Sequence, residues 1–173
     1  LAAPAATKPA GWTDKAGHTF LGWAKSAGAT TADYAAGAAL TNINGSGTPA
    51  DGGNYTLYAV WKINQYDVTI NYNKNTTGNP TGMPSSSTTK VNYNATFSGT
   101  AGAAPTLSGY RFDGWAESAS GPVVYAAGGS ISIPNVTANV TKTLYAKWTQ
   151  LFTVSYSGNG STSGTAPASA TVA

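Results

Sequence analysis

The 173-residue sequence predicts a β-rich protein made of tandem repeats, and three observations support this prediction. Four blocks of sequence recur in the same order, aromatic and β-branched residues alternate with polar ones over short segments, and the composition suits small β modules. Charged residues make up only 9% of the chain and aromatic residues 11%, while glycine and proline number 21 and 9. This composition excludes a coiled coil, a transmembrane helical bundle and a disordered chain.

The internal repeat is the strongest of these observations. Residues 17–24 match residues 109–116 at an offset of 92, and three later blocks match at offsets of 91, 87 and 86 residues. A period of about 87 residues divides the chain into three parts. Residues 1–62 form a repeat unit that lacks its first strand or strands, residues 63–149 form a complete unit, and residues 150–173 form the opening strands of the next unit.

The phase of the repeat allows two explanations. Residues 151–173, placed ahead of residues 1–62, would restore roughly one whole unit. The chain is then either a window from a longer covalent array, which we favour, or a subunit whose last segment completes the broken unit of the next chain by strand addition.

Period-two alternation predicts the strands within a unit. One strand has Tyr66, Val68, Ile70 and Tyr72 on a single face, another is expected over Thr89 to Thr96, and a third presents Leu144, Ala146 and Trp148 together. In the strand that follows Gly109, strict alternation places Phe112 and Trp115 on opposite faces. The Ala-rich stretch from Ala35 to Leu40 is the one place where a short helix is considered.

The repeated aromatic and aliphatic residues are predicted to form the core of each unit, because tryptophan and phenylalanine bury the most apolar area per residue. A stacking role for the repeated tryptophans, on sugars or bases, is the alternative. Trp12 lies outside the repeated blocks and is predicted to be an exposed contact residue. The predicted core comprises Phe20, Trp23, Leu57, Trp61, Tyr66, Val68, Ile70, Phe112, Trp115, Leu144, Trp148, Phe152, Val154 and Tyr156.

The order of these blocks resembles the internalin B-repeat family, also called the Listeria–Bacteroides repeat. The resemblance rests on Gly-x-x-Phe-x-Gly-Trp at residues 17–23 and 109–115, and on Leu-Tyr-Ala-x-Trp at residues 57–61 and 144–148. It implies small β-grasp-like modules in tandem arrays, arranged as a linear rod or fibre on bacterial surface proteins. The family carries no catalytic residues. Two departures concern local loops: His18 stands where the other copy has Tyr110, and the connection from Asn42 to Asn54 is longer.

Reactive groups are scarce, and no catalytic, cofactor-binding or metal-ligating residue is predicted. Cysteine is absent and His18 is the only histidine, so neither a thiolate site nor a histidine cluster can form within one chain. Asp113 and Glu117 are close in sequence, but the other copy has Leu21 and Lys25 there, and surface charge is the preferred interpretation over an acid–base pair. No cofactor is expected.

Charge and hydropathy exclude two classes of partner. The nine basic residues never cluster, so nucleic acid is not expected. No apolar run approaches the length of a membrane span, so a membrane is not expected as a partner. No signal peptide is visible, so an exported protein would be represented here by a mature fragment.

The function predicted from the sequence is therefore structural. We expect a non-enzymatic repeat of an extracellular prokaryotic surface or secreted fibre protein, whose partners are neighbouring repeats or identical chains that add strands or stack end to end. The alternative is an adhesin array that binds glycans or other host or environmental surfaces. An enzyme is a distant third.

Overall fold

The computed structural model describes residues 6–41, 43 and 54–173, and within these residues the fold is built from strands without a helix. The β-rich fold class is thereby confirmed. The Ala-rich stretch considered for a helix instead holds a two-residue strand followed by a turn at Ala36 and Gly37, where Gly37 has a φ of 81°. The strands are β1 His18–Ala24, β2 Tyr34–Ala35, β3 Tyr58–Ile63, β4 Gln65–Asn73, β5 Ser87–Asn92, β6 Ala95–Thr100, β7 Tyr110–Ala116, β8 Val123–Tyr125, β9 Ser130–Val136, β10 Val140–Gln150, β11 Phe152–Val154 and β12 Ala170–Val172.

The chain divides into two compact units, of which the first comprises residues 1–66 and 92–95. Its sheet has the order β2-β1-β3, with β1 antiparallel to both neighbours. The register with β3 runs from the pair His18 and Ile63 to the pair Ala24 and Tyr58. Apart from Ile43 and Asn54, the long connection noted in the sequence lies outside the described residues.

The second unit comprises residues 67–91 and 96–173 and holds a five-stranded sheet of order β5-β4-β10-β7-β8. The central strand β10 is antiparallel to β7 and parallel to β4, in a register that runs from Val140 opposite Val68 to Tyr145 opposite Asn73. Two smaller sheets, β6-β9 and β11-β12, complete the unit. The β-grasp likeness and the rod arrangement stay predictions.

The single strand expected over Thr89 to Thr96 is wrong. The chain turns at Tyr93 and Asn94, so that β5 pairs in the main sheet and β6 pairs with β9 in a separate one. Asn94 has a φ of 59°, a left-handed conformation that asparagine tolerates better than most residues. Because the residues alternate on both sides of the turn, the period-two pattern alone does not reveal it.

Burial separates the predicted core residues into three groups. Val68, Ile70, Trp115 and Leu144 are buried. Seven others are half-buried: Phe20, Trp23, Leu57, Trp61, Tyr66, Phe112 and Trp148. The structure contradicts the prediction for the last three, because Phe152, Val154 and Tyr156 are exposed. Phe152 and Val154 lie in β11, which among the described residues pairs only with β12, and Tyr156 lies two residues beyond the end of β11.

Several buried residues were not expected from the repeated motifs. Phe97 in β6 and Ile131 and Val136 in β9 are buried in the second unit. Ile131 and Ile133 alternate with serines over only four residues, and Pro134 and Asn135 interrupt the pattern before Val136. The core of the second unit therefore includes residues of the β6-β9 sheet, which the repeated motifs do not predict.

Candidate functional site

The Phe-x-Gly-Trp motif forms a β-bulge in both units. In the second unit Phe112 pairs with Trp148 and Gly114 pairs with Lys147, so Asp113 is an extra residue in β7. The extra residue brings Phe112 and Trp115 to the same face, with ring centroids 5.0 Å apart. The opposite-face placement expected from strict alternation is therefore wrong.

The same bulge occurs in β1, where Phe20 pairs with Trp61, Gly22 pairs with Val60, and Leu21 is the extra residue. The glycine of each bulge has a φ that other residues rarely adopt, 137° at Gly22 and 142° at Gly114. A Cβ at Gly22 would overlap the carbonyl oxygen of Tyr34, and a Cβ at Gly114 would lie 2.8 Å from that of Tyr125. Glycine is required here by both conformation and space.

Each bulge assembles three aromatic rings into a cluster. In the second unit the Phe112 ring lies 5.0 Å from Trp115 and 5.5 Å from Trp148. In the first unit the Phe20 ring lies 5.4 Å from Trp23 and 5.2 Å from Trp61. These spacings are those of favourable tilted and edge-to-face pairs, and they reproduce one arrangement in both copies.

The tryptophan of each Phe-x-Gly-Trp motif, called the central tryptophan below, donates its indole N–H to a backbone carbonyl. Trp115 Nε1 lies 2.9 Å from the oxygen of Gly102, and Trp23 Nε1 lies 3.4 Å from that of Thr7. The residue before each acceptor, Ala101 or Ala6, is buried. The tryptophans are therefore held as packing residues, which argues against the sugar- or base-stacking alternative for them.

The two alanines also make equivalent backbone hydrogen bonds. Ala101 N donates to Gly129 O at 2.7 Å and Gly128 N donates to Ala101 O at 3.1 Å, while Ala6 exchanges the same bonds with Gly37 and Ala38. Sequence comparison did not detect this equivalence, because the segments around Ala6 and Ala101 share almost no side chains. The buried small residue and its backbone bonds are what the two copies have in common.

The two clusters differ in the ring that covers the central tryptophan. In the second unit Tyr72 of β4 lies 5.0 Å from Trp115, which is fully buried. In the first unit Trp12 lies 5.7 Å from Trp23, and Trp12 is itself 50% exposed. The exposure predicted for Trp12 is observed, whereas its contact role stays a prediction.

An open groove lies beside Trp23 in the first unit. It has a volume of about 260 Å³ and no charged residue in its lining, which consists of Thr7, Trp23, Leu40, Tyr55 and Leu57. Leu57 matches Leu144, which β4 helps to bury completely, but Leu57 is only half-buried. Among the described residues β3 pairs with β1 alone. In the second unit β4 pairs with Val140 to Tyr145 of β10, a stretch that corresponds to residues 53–58 and ends where β3 begins.

A second apolar surface lies on the opening hairpin of the third repeat. Strands β11 and β12 pair in the register Phe152 opposite Val172 and Val154 opposite Ala170. Phe152 and Tyr156 are 55% and 52% exposed, and Val154 is also exposed. Of their counterparts in β4, Val68 and Ile70 are buried and Tyr66 is half-buried.

The carboxylates near the second cluster serve as structural ties. Glu117 accepts hydrogen bonds from Lys142 Nζ and, at 2.7 Å, from the hydroxyl of Tyr125. Asp113 accepts from Thr149 Oγ1 at 2.5 Å and from Arg111 Nε at 2.8 Å. These bonds link β7 and the residue after it to β8 and β10.

The pKa values of both carboxyl groups are lowered. The hydrogen bond from Lys142, followed by that from Tyr125, lowers the pKa of Glu117. The hydrogen bond from Thr149 lowers the pKa of Asp113, although burial opposes it, and Arg111 adds to the lowering. Both groups are ionised at neutral pH, whereas a general acid needs a raised pKa. The arrangement does not favour proton transfer.

Other candidate chemistry is sparse in the part of the chain that the structure describes. His18 Nδ1 lies 2.8 Å from the carbonyl oxygen of Ala16, a local contact at the start of β1. No three His, Cys, Asp or Glu side chains group together as metal ligands among the described residues. These residues also contain no helix long and apolar enough to cross a membrane.

Comparison with known proteins gives one family. Residues 66–147 match the family model described as the Listeria-Bacteroides repeat domain. The matched range lies within residues 63–149, the unit that the internal repeat defines as complete. No curated protein matches the chain, and no solved structure does.

Proposed function

Since residues 66–147 belong to the Listeria-Bacteroides repeat family, we propose that the chain is a non-enzymatic structural part of an extracellular prokaryotic surface or fibre protein. In this proposal each repeat folds around its own aromatic cluster, and successive repeats stack end to end. The function then depends on the length of the repeat array and on association between copies.

The observation that carries this proposal is one hydrogen bond that recurs where each repeat ends. In the first unit Asn64 N donates to Gly17 O at 2.8 Å, and in the second unit Leu151 N donates to Gly109 O at 2.8 Å. In each copy the bond ties the residue after the last strand to the glycine that begins the Gly-x-x-Phe-x-Gly-Trp motif. The residue that leaves each repeat is thus held in the same way in both copies, and this recurrence supports an array of like units.

Asn64, the residue that follows β3, makes further contacts within the first unit. Asn64 also accepts a hydrogen bond from Thr19 Oγ1 at 2.7 Å through its side chain, and from Tyr93 N at 2.8 Å through its carbonyl oxygen. The Tyr93 ring lies 6.4 Å from Tyr66 and against Gly17, where any Cβ would overlap it. Several interactions thus converge on the short segment that follows β3.

Solution scattering tests the structural role. We expect that inserting one further copy of residues 63–149 after residue 149 lengthens the maximum dimension by a constant increment, with an unchanged cross-section. A second inserted copy should add the same increment again. Growth with the square root of repeat number, as in a flexible chain, would contradict stacking.

An adhesin role is the second candidate, and it rests on Trp12. This side chain is half exposed beside the open groove, and aromatic faces are common platforms for sugar rings. We expect that a glycan-binding adhesin would lose binding on a glycan array when Trp12→Ala is introduced. Tyr110→Ala, which removes an exposed ring outside the groove, is the matched control. Binding lost only in the Trp12 variant would favour the adhesin role, and absence of any glycan binding would favour the structural one.

A further inference from the structure

We propose that the first unit binds the carboxylate of a sugar acid in a pocket beside Tyr34, where this carboxylate takes the place that Glu117 has in the second unit. The inference lies beyond the proposed structural role and does not depend on it. The pocket is separate from the groove beside Trp23, because the two share no lining residue.

The second unit shows how a carboxylate is held at this position of the repeat. Glu117 accepts one hydrogen bond from the Tyr125 hydroxyl, at 2.7 Å, and another from Lys142 Nζ. The same Nζ lies 6.0 Å from the centroid of the Tyr125 ring. A tyrosine hydroxyl and an ammonium group near the ring of that tyrosine thus converge on one carboxylate.

The first unit keeps two of these three groups and lacks the third. Tyr34 matches Tyr125, and Lys25 matches Glu117. The Lys25 ammonium lies 5.8 Å from the centroid of the Tyr34 ring, so a cation stays over the ring although it comes from a different position. The exchange of Glu117 for Lys25 removes the acceptor of the tyrosine hydroxyl.

Tyr34 consequently has a buried hydroxyl without a partner. The residue is 7% exposed, and its hydroxyl oxygen is shielded from solvent and finds no hydrogen-bond partner among the described residues. Buried polar groups are nearly always hydrogen-bonded, and an exception calls for an explanation. In the second unit the group that satisfies the equivalent hydroxyl is a carboxylate oxygen, which indicates the ligand chemistry that would satisfy Tyr34.

The pocket beside Tyr34 has a volume of about 370 Å³, within the range of small-molecule sites. Three alanines in its lining leave space next to Tyr34 and Lys25. Counterparts of the lining residues are exposed in the second unit, Glu117, Val124 and Ser130 among them. The equivalent surface is therefore accessible to solvent in both units.

Lys25 controls access to the buried hydroxyl. Among the described lining residues it is the one with a long flexible side chain, and movement of that side chain would uncover the Tyr34 ring. An ammonium group has three donors, so Lys25 can bind a carboxylate in addition to the contacts that it makes in the structure.

Asp33 narrows the class of ligand. Its Oδ2 accepts the backbone N–H of Lys25 at 2.7 Å, and its charge opposes a bare anion in the same pocket. Hydroxyl groups on the ligand would donate hydrogen bonds to Asp33 while the carboxylate turns towards Tyr34. A carboxylate that carries several hydroxyl groups is a sugar acid.

Titration of the isotope-labelled chain with glucuronate, followed through its backbone amide NMR signals, tests the site. We expect saturable shifts at Lys25 and Tyr34. Glucose, which lacks the carboxylate, and acetate, which lacks the hydroxyl groups, should each bind about tenfold more weakly or less. Absence of saturable shifts with glucuronate, or equal affinity for glucose, would overturn the carboxylate site, and equal affinity for acetate would overturn the sugar-acid assignment.

Two tyrosine variants separate binding from packing. Tyr34→Phe removes the hydroxyl and should weaken glucuronate binding by about tenfold, while the midpoint of denaturant unfolding stays unchanged or rises because no protein group loses a partner. Tyr125→Phe is the matched control. It should leave glucuronate binding unchanged and lower the midpoint, since Glu117 loses a hydrogen bond. Equal effects of the two variants on binding would overturn the role of the Tyr34 hydroxyl.

A third variant, Lys25→Glu, places a carboxylate where the second unit has one. The new side chain offers the Tyr34 hydroxyl an acceptor within the chain, so the site is filled and glucuronate binding should be lost. Glucuronate binding that persists in this variant would show that the ligand does not take the place of Glu117.

Discussion

At the residue scale, a single glycine in each motif decides which side chains form the core. Gly114 and Gly22 adopt positive φ values at the bulges, and the extra residue before each one turns phenylalanine and tryptophan to the same face. Spacing of three residues would otherwise separate these rings across the sheet. The aromatic clusters therefore depend on a backbone feature that has no side chain of its own.

Replacing the bulge glycine tests this dependence. We expect Gly114→Ala to lower the free energy of unfolding by about 2–4 kcal/mol, because the new Cβ approaches Tyr125 O and overlaps Val123 in a conformation reserved for glycine. Gly82→Ala is the control, since Gly82 has a φ of 70° but no atom within 4 Å of the added Cβ. It should cost only about 1–2 kcal/mol. Denaturant unfolding followed by tryptophan fluorescence gives both values, and equal losses would contradict a steric requirement at the bulge.

The tryptophans at equivalent positions are expected to contribute unequally to stability. Trp115 is fully buried, so Trp115→Ala should lower the free energy of unfolding by about 3–5 kcal/mol. Trp23→Ala should lower it less because Trp23 is half-buried beside the open groove. Trp12→Ala, at a half-exposed ring, should cost less than about 1 kcal/mol. Chemical denaturation of the three variants measures the order, and a loss below about 1 kcal/mol at Trp115 would show that its ring is not part of a packed core.

At the element scale, hydrogen bonds to two carboxylates connect β7 and the residue after it to β10. Lys142 and Thr149 of β10 reach Glu117 and Asp113, and Arg111 of β7 adds a second bond to Asp113. The two carboxyl groups have lowered pKa values in the folded protein. In the unfolded chain they titrate near their ordinary values of about 4. The folded state therefore binds fewer protons than the unfolded state over the acidic range.

This difference predicts a loss of stability in acid. The contribution of Asp113 and Glu117 is present above about pH 5 and is lost as the pH falls through their folded pKa values. We expect the free energy of unfolding, measured between about pH 2 and pH 6, to fall more steeply for the wild type than for the double variant Asp113→Asn and Glu117→Gln. Identical slopes would mean that these ties do not distinguish the folded from the unfolded state.

Strands at equivalent positions of the repeat differ in burial according to their neighbours. Val68 in β4 is fully buried, whereas Val154 in β11, its sequence equivalent, is exposed. Both strands alternate in the same way, so the pattern predicts a strand in each case, and each is a strand. The pattern cannot supply the partner that buries its apolar face, because that partner comes from a distant part of the chain.

At the scale of the whole molecule, the low charge and the repeat support the proposed structural role. With 9% charged residues, the surface offers long stretches of Thr, Asn, Gly and Ala to a neighbouring copy without the cost of removing ions from water. The two units show the same bulge, the same aromatic cluster and the same exit hydrogen bond. Both units thus repeat one local arrangement, as the proposed structural role requires.

The sequence by itself determined the β-rich class, the internal repeat, the strands that carry the repeated motifs and the aromatic residues of each cluster. These properties depend on composition and on periodicity over a few residues, which local physical chemistry controls. Only the tertiary structure decided that Phe112 and Trp115 share a face, that Ala6 and Ala101 are equivalent, and that Phe152, Val154 and Tyr156 are exposed. Each of these depends on contacts between residues far apart in the chain. The shared face follows from the bulge opposite β10, and the equivalence of the alanines follows from their backbone hydrogen bonds to another loop. The exposure follows from the pairing of β11, which among the described residues is with β12 alone.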